Sequence, residues 1–302
     1  TALAGLLGPS GPDRHPAGRR LLVLGAIVAL PWLSVKYVPV AAVLAVALLA
    51  ADRAPGRRRS GVSMMVALVL AGLVYLLVHR RVYGGWTVYA AGDHFVDGEF
   101  TVIGSDPDYL GRSRRLVGLL VDRRFGLLPW APALALLVPA MAAVSARRAW
   151  PRTILLATLG TGWAVATWVA LTMHGWWWPG RQVVVVLPVA VLAIAGLVDR
   201  RPRLLAAMAV SSVAAMANWL WLIVESSTGR RTLIVDFYET AAPVYRLLAP
   251  LFPDHVVDGA RDQLLTAAWL AILSVGAWLG WRSERRAGPS VVDQRDGARW
   301  HR

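Results

Sequence analysis

Cysteine is absent from the 302 residues, so the chain can build neither a disulfide framework nor a thiolate metal site. Lysine is nearly absent: Lys36 is the single one, and arginine carries the rest of the basic charge. Charge as a whole is scarce, at 17% of residues, where soluble domains hold about a quarter. The basic start, short apolar stretch and small-residue cleavage site of a signal peptide are not found. The chain opens on Thr1 rather than methionine, and it is expected to be the C-terminal part of a longer protein.

What is present is apolar. Hydrophobic residues make up 57%, the mean hydropathy is +0.51, and the charges are clumped between apolar runs. That is the composition of a multi-pass helical membrane protein. A net charge of +14 raises nucleic acid as a partner class. The arginines, however, stand in short clusters at the ends of apolar runs, where the positive-inside rule puts them, so no nucleic acid is expected. The expected fold is all-α, a polytopic transmembrane bundle of about seven or eight spans, some short, with two extracytoplasmic loops.

The transmembrane domain is expected over residues 1–286, with spans near 61–78, 125–146, 153–173, 183–198, 204–224 and 264–281. Residues 21–51 are too long for one span of roughly 20 residues and short for two. They read as a hairpin of two short helices turning near Lys36, or as one long helix kinked at its prolines. The loops are 82–124 and 225–262, and 287–302 is an expected disordered cytoplasmic tail. Arginine clusters within 57–59, 147–152, 200–203 and 282–286 fall on one side, which marks it as the cytoplasmic side of a plasma (inner) membrane. Arginines of the two loops break this rule, as long translocated loops are free to do.

Four stretches bear on chemistry. The first loop holds Asp93, His94, Asp97, Glu99, Asp106 and Asp108. Such residues serve as acid and base or hold a divalent cation, but their spacing matches no metal motif, and a solvated loop is the plainer reading. Asp122-Arg123-Arg124-Phe125-Gly126 stands at a membrane entrance. It reads as an interfacial anchor with Asp122 as N-cap, or as a headgroup-level site where arginine meets a lipid phosphate. His174-Gly175-Trp176-Trp177-Trp178-Pro179-Gly180-Arg181 joins two charge-free runs. Tryptophan belts are ordinary at an interface, yet three in a row form a platform for a sugar ring or prenyl chain, with Arg181 beside it for a phosphate. The second loop carries Asp254, His255, Asp258, Arg261 and Asp262, and it either caps a cleft between spans or lies on the membrane. Asn218, within an apolar run, is expected to face the bundle.

Taken in order, Pro31-Trp32, Lys36-Tyr37, Tyr83-Gly84-Gly85, Asp122-Arg123-Arg124-Phe125-Gly126-Leu127-Leu128-Pro129-Trp130, Gly175-Trp176-Trp177, Gly180-Arg181 and Leu187-Pro188 form a pattern over residues 20–200. It resembles the C-terminal half of bacterial multi-pass glycosyltransferases of the GT-C superfamily, particularly actinobacterial members. The resemblance implies an inverting enzyme on the outer face of the plasma membrane. Such an enzyme moves a hexose or pentose from a polyprenyl-phosphate-linked donor to a cell-envelope glycan or protein. The charge a leaving lipid phosphate gains makes Arg181, Arg123 and Arg124 the candidates for the donor phosphate, with Trp176, Trp177, Trp178, Asp122 and His174 the candidates for sugar or lipid. The family's catalytic carboxylate lies in a first loop near the N-terminus, which places it upstream of this chain; within the chain, Asp93 and Asp97 are the candidates. No resident metal is expected, and a divalent cation is the one cofactor left open. Two other classes compete: a non-catalytic membrane subunit or degenerate homologue, and a lipid-linked-sugar transporter, which would need broken helices or charge at mid-membrane.

Overall fold

The computed structural model describes residues 16–51, 58–86, 109–146, 149–170, 179–230 and 240–286. Every regular element in these residues is helical. The chain divides into two compact units, residues 1–108 with 157–165, and residues 109–156 with 166–302.

The first unit contains α1 (Pro16–Leu33), α2 (Val38–Ala51) and α3 (Arg58–Tyr83), which pack on one another. Between α1 and α2 the backbone turns extended at Ser34 and then makes one 3-10 turn, Val35–Tyr37, that carries Lys36. Residues 21–51 are therefore a hairpin rather than one kinked helix. The buried positions, Val23 and Ile27 on α1 and Val40, Leu44, Ala47 and Leu48 on α2, recur at three- and four-residue spacing, so each helix buries one stripe.

Three helices are long and apolar enough to cross a membrane: Gly61–Tyr83, Pro202–Ser227 and Ala260–Arg286. Their leucine, valine and isoleucine side chains face mostly outward, Val210, Val213, Leu220, Leu270, Ile272 and Val275 among them. An exposed apolar face on this scale belongs in lipid rather than in water. The described residues are thus all-helical, with three helices suited by length and composition to cross a membrane. Three full-length candidate spans among the described residues are fewer than the seven or eight expected. Val35–Ala50, Pro132–Ser145 and Val184–Asp199 are apolar but shorter than the roughly 20 residues a crossing needs.

The second unit contains α4 (Tyr109–Arg112), α5 (Arg115–Val121), α6 (Leu137–Ser145), the start of α7 (Trp150–Ala164), α8 (Leu187–Asp199), α9 (Leu205–Ser227), α10 (Pro243–Leu248) and α11 (Ala260–Arg286). Proline opens several of these segments: Pro132, Pro188, Pro202 and Pro243 each sit in a first turn, where the missing N–H has no partner to lose. The main contact is α6 on α11. Gly280 lets the two backbones touch, since a Cβ there would meet the Pro139 backbone, and Gly276 lies one turn away against the Pro139 ring. Small residues four apart bring membrane helices together in this way.

One expectation needs correction. The span expected from Phe125 does not start there: residues 122–131 are irregular, and helix resumes at the 3-10 turn Pro132–Leu136. Pro129 and Pro132 cannot donate to a helix ladder, and they fall where it would have begun. The second loop, left open between a cap and a connector, contains α10 and the 3-10 turn Ala249–Leu251, which bury Tyr245, Ala249 and Phe252. In the first loop, α4 and α5 occupy 109–121, and Leu119, Leu120 and Val121 are buried. The tail 287–302 lies outside the described residues.

Candidate functional site

The 122–131 segment is buried although it is neither helix nor strand. Buried irregular backbone is tolerated only when its polar groups find partners. Leu127 and Leu128 N–H donate to the Leu119 and Leu120 carbonyls at 3.0 and 2.9 Å, closing the C-terminal end of α5. Other groups pair within the segment or with the Pro253 carbonyl, and several are taken by side chains from distant elements. Asn218 on α9 donates to the Pro129 and Trp130 carbonyls at 3.3 and 3.2 Å and accepts the Tyr245 N–H at 2.9 Å. Tyr245 donates its hydroxyl to the Arg123 carbonyl at 3.0 Å, and its ring stacks on Trp130 with centroids 4.1 Å apart. Burial, then the nearby Asp122 charge, pushes the Tyr245 hydroxyl pKa well up, so it stays a donor.

Asp122 organises the polar centre. It is fully buried, and its Oδ1 accepts the Arg124 and Phe125 N–H groups, both at 2.9 Å, as a capping carboxylate does. Its Oδ2 accepts the His255 N–H at 3.2 Å and lies 2.9 Å from His255 Nδ1. Burial alone would raise the carboxyl pKa. The His255 side-chain bond, the Phe125 and Arg124 N–H groups and the His255 charge outweigh it and hold the value below the ordinary range. Asp122 is therefore a carboxylate, and the Nδ1 of His255 carries the proton between them. The other ring nitrogen, Nε2, lies 3.3 Å from the Thr266 hydroxyl on α11.

Two arginines and two further acids surround this pair. Arg124 holds Asp254 Oδ2 through Nε at 3.0 Å and a terminal nitrogen at 2.6 Å, and both side chains are buried. Arg123 donates Nε to the Ala249 and Phe252 carbonyls, and one terminal nitrogen lies 3.6 Å from Asp262 Oδ1. Asp254 Oδ1 accepts the Val256 and Val257 N–H groups, and Asp262 Oδ1 accepts the Asp254 N–H at 2.9 Å. The second loop is thereby fixed to both the 122–131 segment and α11. Among the described residues no three His, Asp or Glu side chains converge to hold a metal ion.

The residues expected at the site divide into three groups. Asp122, Arg123 and Arg124 do come together, but in contact with the protein's own acids and carbonyls rather than turned outward. Arg181 is exposed and follows a tight turn: Gly180 adopts φ +79°, lies against the Leu127 side chain where a Cβ would clash, and accepts the Val183 N–H at 2.9 Å. Asp93, Asp97, His174, Trp176, Trp177 and Trp178 lie outside the described residues. His255 and Thr266 were not singled out by sequence reasoning. His255 had been noted only within the second loop, and no local motif ties it to an aspartate 133 residues away.

Elsewhere in this unit, Arg112 donates to the Trp168 carbonyl at 2.6 Å, and Arg115 donates to the Ala170 carbonyl at 2.7 Å. The π-helical turn Val165–Val169 ends here, so the two guanidiniums serve its last carbonyls. Arg152 and Arg200 share Glu284 near the far end of α11, at 3.0 and 2.6 Å. Against these features no family model, curated protein or solved structure matches the chain.

Proposed function

We propose that this chain is part of an integral-membrane glycosyltransferase that uses a polyprenyl-phosphate-linked sugar as donor and a cell-envelope glycan or protein as acceptor, on the outer face of the plasma membrane. The observation that carries the reading is the Pro179–Gly180 turn seated on Leu127. It sets the exposed Arg181 next to a fixed, buried polar segment. The leaving group in such a transfer is a lipid phosphate, and a positioned guanidinium stabilises the negative charge it gains. Arg123 and Arg124 hold the scaffold together, and the exposed Arg181 is the arginine assigned to this task. A second reading, a non-catalytic membrane subunit, is favoured by the internal bonding of Arg123 and Arg124, both expected at a phosphate.

The test is a titration of polyprenyl-phosphate-linked sugars into the protein in nanodiscs. Wild type binds and Arg181→Ala loses at least tenfold in affinity, the scale of one charge-assisted contact to a phosphate. Equal binding by the two proteins removes Arg181 from the site. Absence of binding in both refutes the transferase reading.

A further inference from the structure

The buried polar centre has room for one more proton. Asp122, Asp254 and Asp262 face Arg123 and Arg124, so three carboxylates meet two guanidiniums and one negative charge is left over. His255 is the group placed to cancel it. Its side chain is 10% exposed, while that of Asp122 is fully buried. With Nδ1–H donated to Asp122, the lone pair of Nε2 points to Thr266 Oγ1 at 3.3 Å. The Thr266 hydroxyl has two acceptors in reach, this nitrogen and the Asp262 carbonyl at 2.8 Å, and a rotation about one bond moves its proton between them. Thr266 is half-buried, one turn along α11 from the buried Asp262.

We propose that Asp122, His255 and Thr266 form a proton relay in which Thr266 meets the substrate, His255 accepts the proton and Asp122 positions the imidazole. On the transferase reading, which this inference rests on, the relay serves the acceptor hydroxyl. The acceptor oxygen forms a bond to the anomeric carbon, and the bond from that carbon to the lipid phosphate breaks with its electron pair leaving on the phosphate. The acceptor's proton passes to Thr266 Oγ1 while the Thr266 proton passes to His255 Nε2, giving an imidazolium held between Asp122 and an intact threonine hydroxyl. The groups the structure places on the imidazole are Asp122 from the 122–131 segment and Thr266 from α11, and the residues next to them in the chain, Arg123, Arg124 and Asp254, form the ion pairs Arg124–Asp254 and Arg123–Asp262.

Two measurements on the full chain in nanodiscs test the relay. The first needs no substrate: diethyl pyrocarbonate modifies neutral imidazole, and the rate at His255, read by peptide mass spectrometry from pH 5 to 8.5, traces its titration. Wild type is expected to react along a single titration curve, and Asp122→Asn, which removes the facing carboxylate, moves that curve to lower pH. An unreactive His255, or a curve that stays in place in a folded Asp122→Asn, overturns the proposal. The second uses Thr266→Val and Thr266→Ser, which keep α11 intact. Release of polyprenyl phosphate from a polyprenyl-phosphate-linked sugar is expected to fall about 10²-fold or more in Thr266→Val at unchanged donor affinity, and to stay within about tenfold of wild type in Thr266→Ser. Donor that binds and is released equally by Thr266→Val overturns the relay and spares the transferase reading. Donor that does not bind to wild type at all overturns that reading, and the modification curves then decide the relay by themselves.

Discussion

Asn218→Ala tests whether one buried amide holds the irregular 122–131 segment in place. Asn218 is fully buried and makes three hydrogen bonds to backbone groups that have no helical partner. Losing its oxygen orphans the Tyr245 N–H, a cost of about 1–3 kcal/mol for a buried donor. Losing its NH2 weakens the Pro129 and Trp130 carbonyls, each at about 0.6 kcal/mol, the mean for side-chain hydrogen bonds in membrane bundles. The expected loss is about 2–4 kcal/mol. Reversible unfolding in mixed SDS micelles, followed by tryptophan fluorescence, reads it directly, because Trp130 stacks on the Tyr245 ring that Asn218 positions. Asn218→Leu keeps most of the volume and removes every hydrogen bond, so it separates bonding from packing and should lose a similar amount. If both variants unfold within about 0.5 kcal/mol of wild type, inside the scatter of ordinary surface substitutions, the segment is held by its apolar contacts alone and the argument fails.

Three more expectations follow from the same geometry. Asp254→Asn leaves Arg124 buried without its partner and should cost about 3–5 kcal/mol in the same unfolding assay, while Arg114→Ala, whose ion pair with Asp258 is exposed, should cost under about 1 kcal/mol. Gly280→Leu drives a side chain into the Pro139 backbone, and a loss of about 1–3 kcal/mol is expected, whereas Val275→Leu at an exposed position of the same helix is tolerated. The Asp122 carboxyl is held below its ordinary value, so its contribution to stability is complete above about pH 4 and is lost as acidification passes the folded-state value. A plot of melting temperature against pH should therefore fall below about pH 4 in wild type, and Asp122→Asn should flatten that limb.

The long helices could be read from the chain because apolar runs bounded by charge determine a span by local composition alone. The turn at Lys36 was legible as one of two arrangements, since a run of 31 residues with prolines must break somewhere. The local bonding of Asp122 was legible, because its N–H partners are two and three residues away, but the helix it was expected to cap does not start there. The rest of the site was not. Arg124 finds Asp254 across 130 residues and Asn218 finds Trp130 across 88, and no periodicity encodes which polar group meets which. An arginine at a membrane entrance looks the same in sequence whether it waits for a phosphate or already holds an aspartate. Only the burial of its partner decides, and burial is a property of the packed bundle. The break was hidden for a related reason: from Phe125 onward the residues are as apolar as a span, and only Pro129 and Pro132 hint that the ladder cannot form.

The two ends of α11 are tied down in different ways. Asp262 is bound to the 122–131 segment and the second loop at one end, and Glu284 to Arg152 and Arg200 at the other. From residue 262 to residue 284 an α-helix runs about 33 Å, close to the roughly 30 Å of a bilayer's hydrocarbon core. A helix clamped at both ends cannot slide along its own axis to suit a thinner or thicker bilayer. It works as a fixed-length gauge, and any mismatch passes to the tilt of the whole second unit or to the lipid around it. Acyl-chain length is then a variable that acts on the polar centre itself, because tilting this unit changes how deep Thr266 and His255 sit below the headgroups.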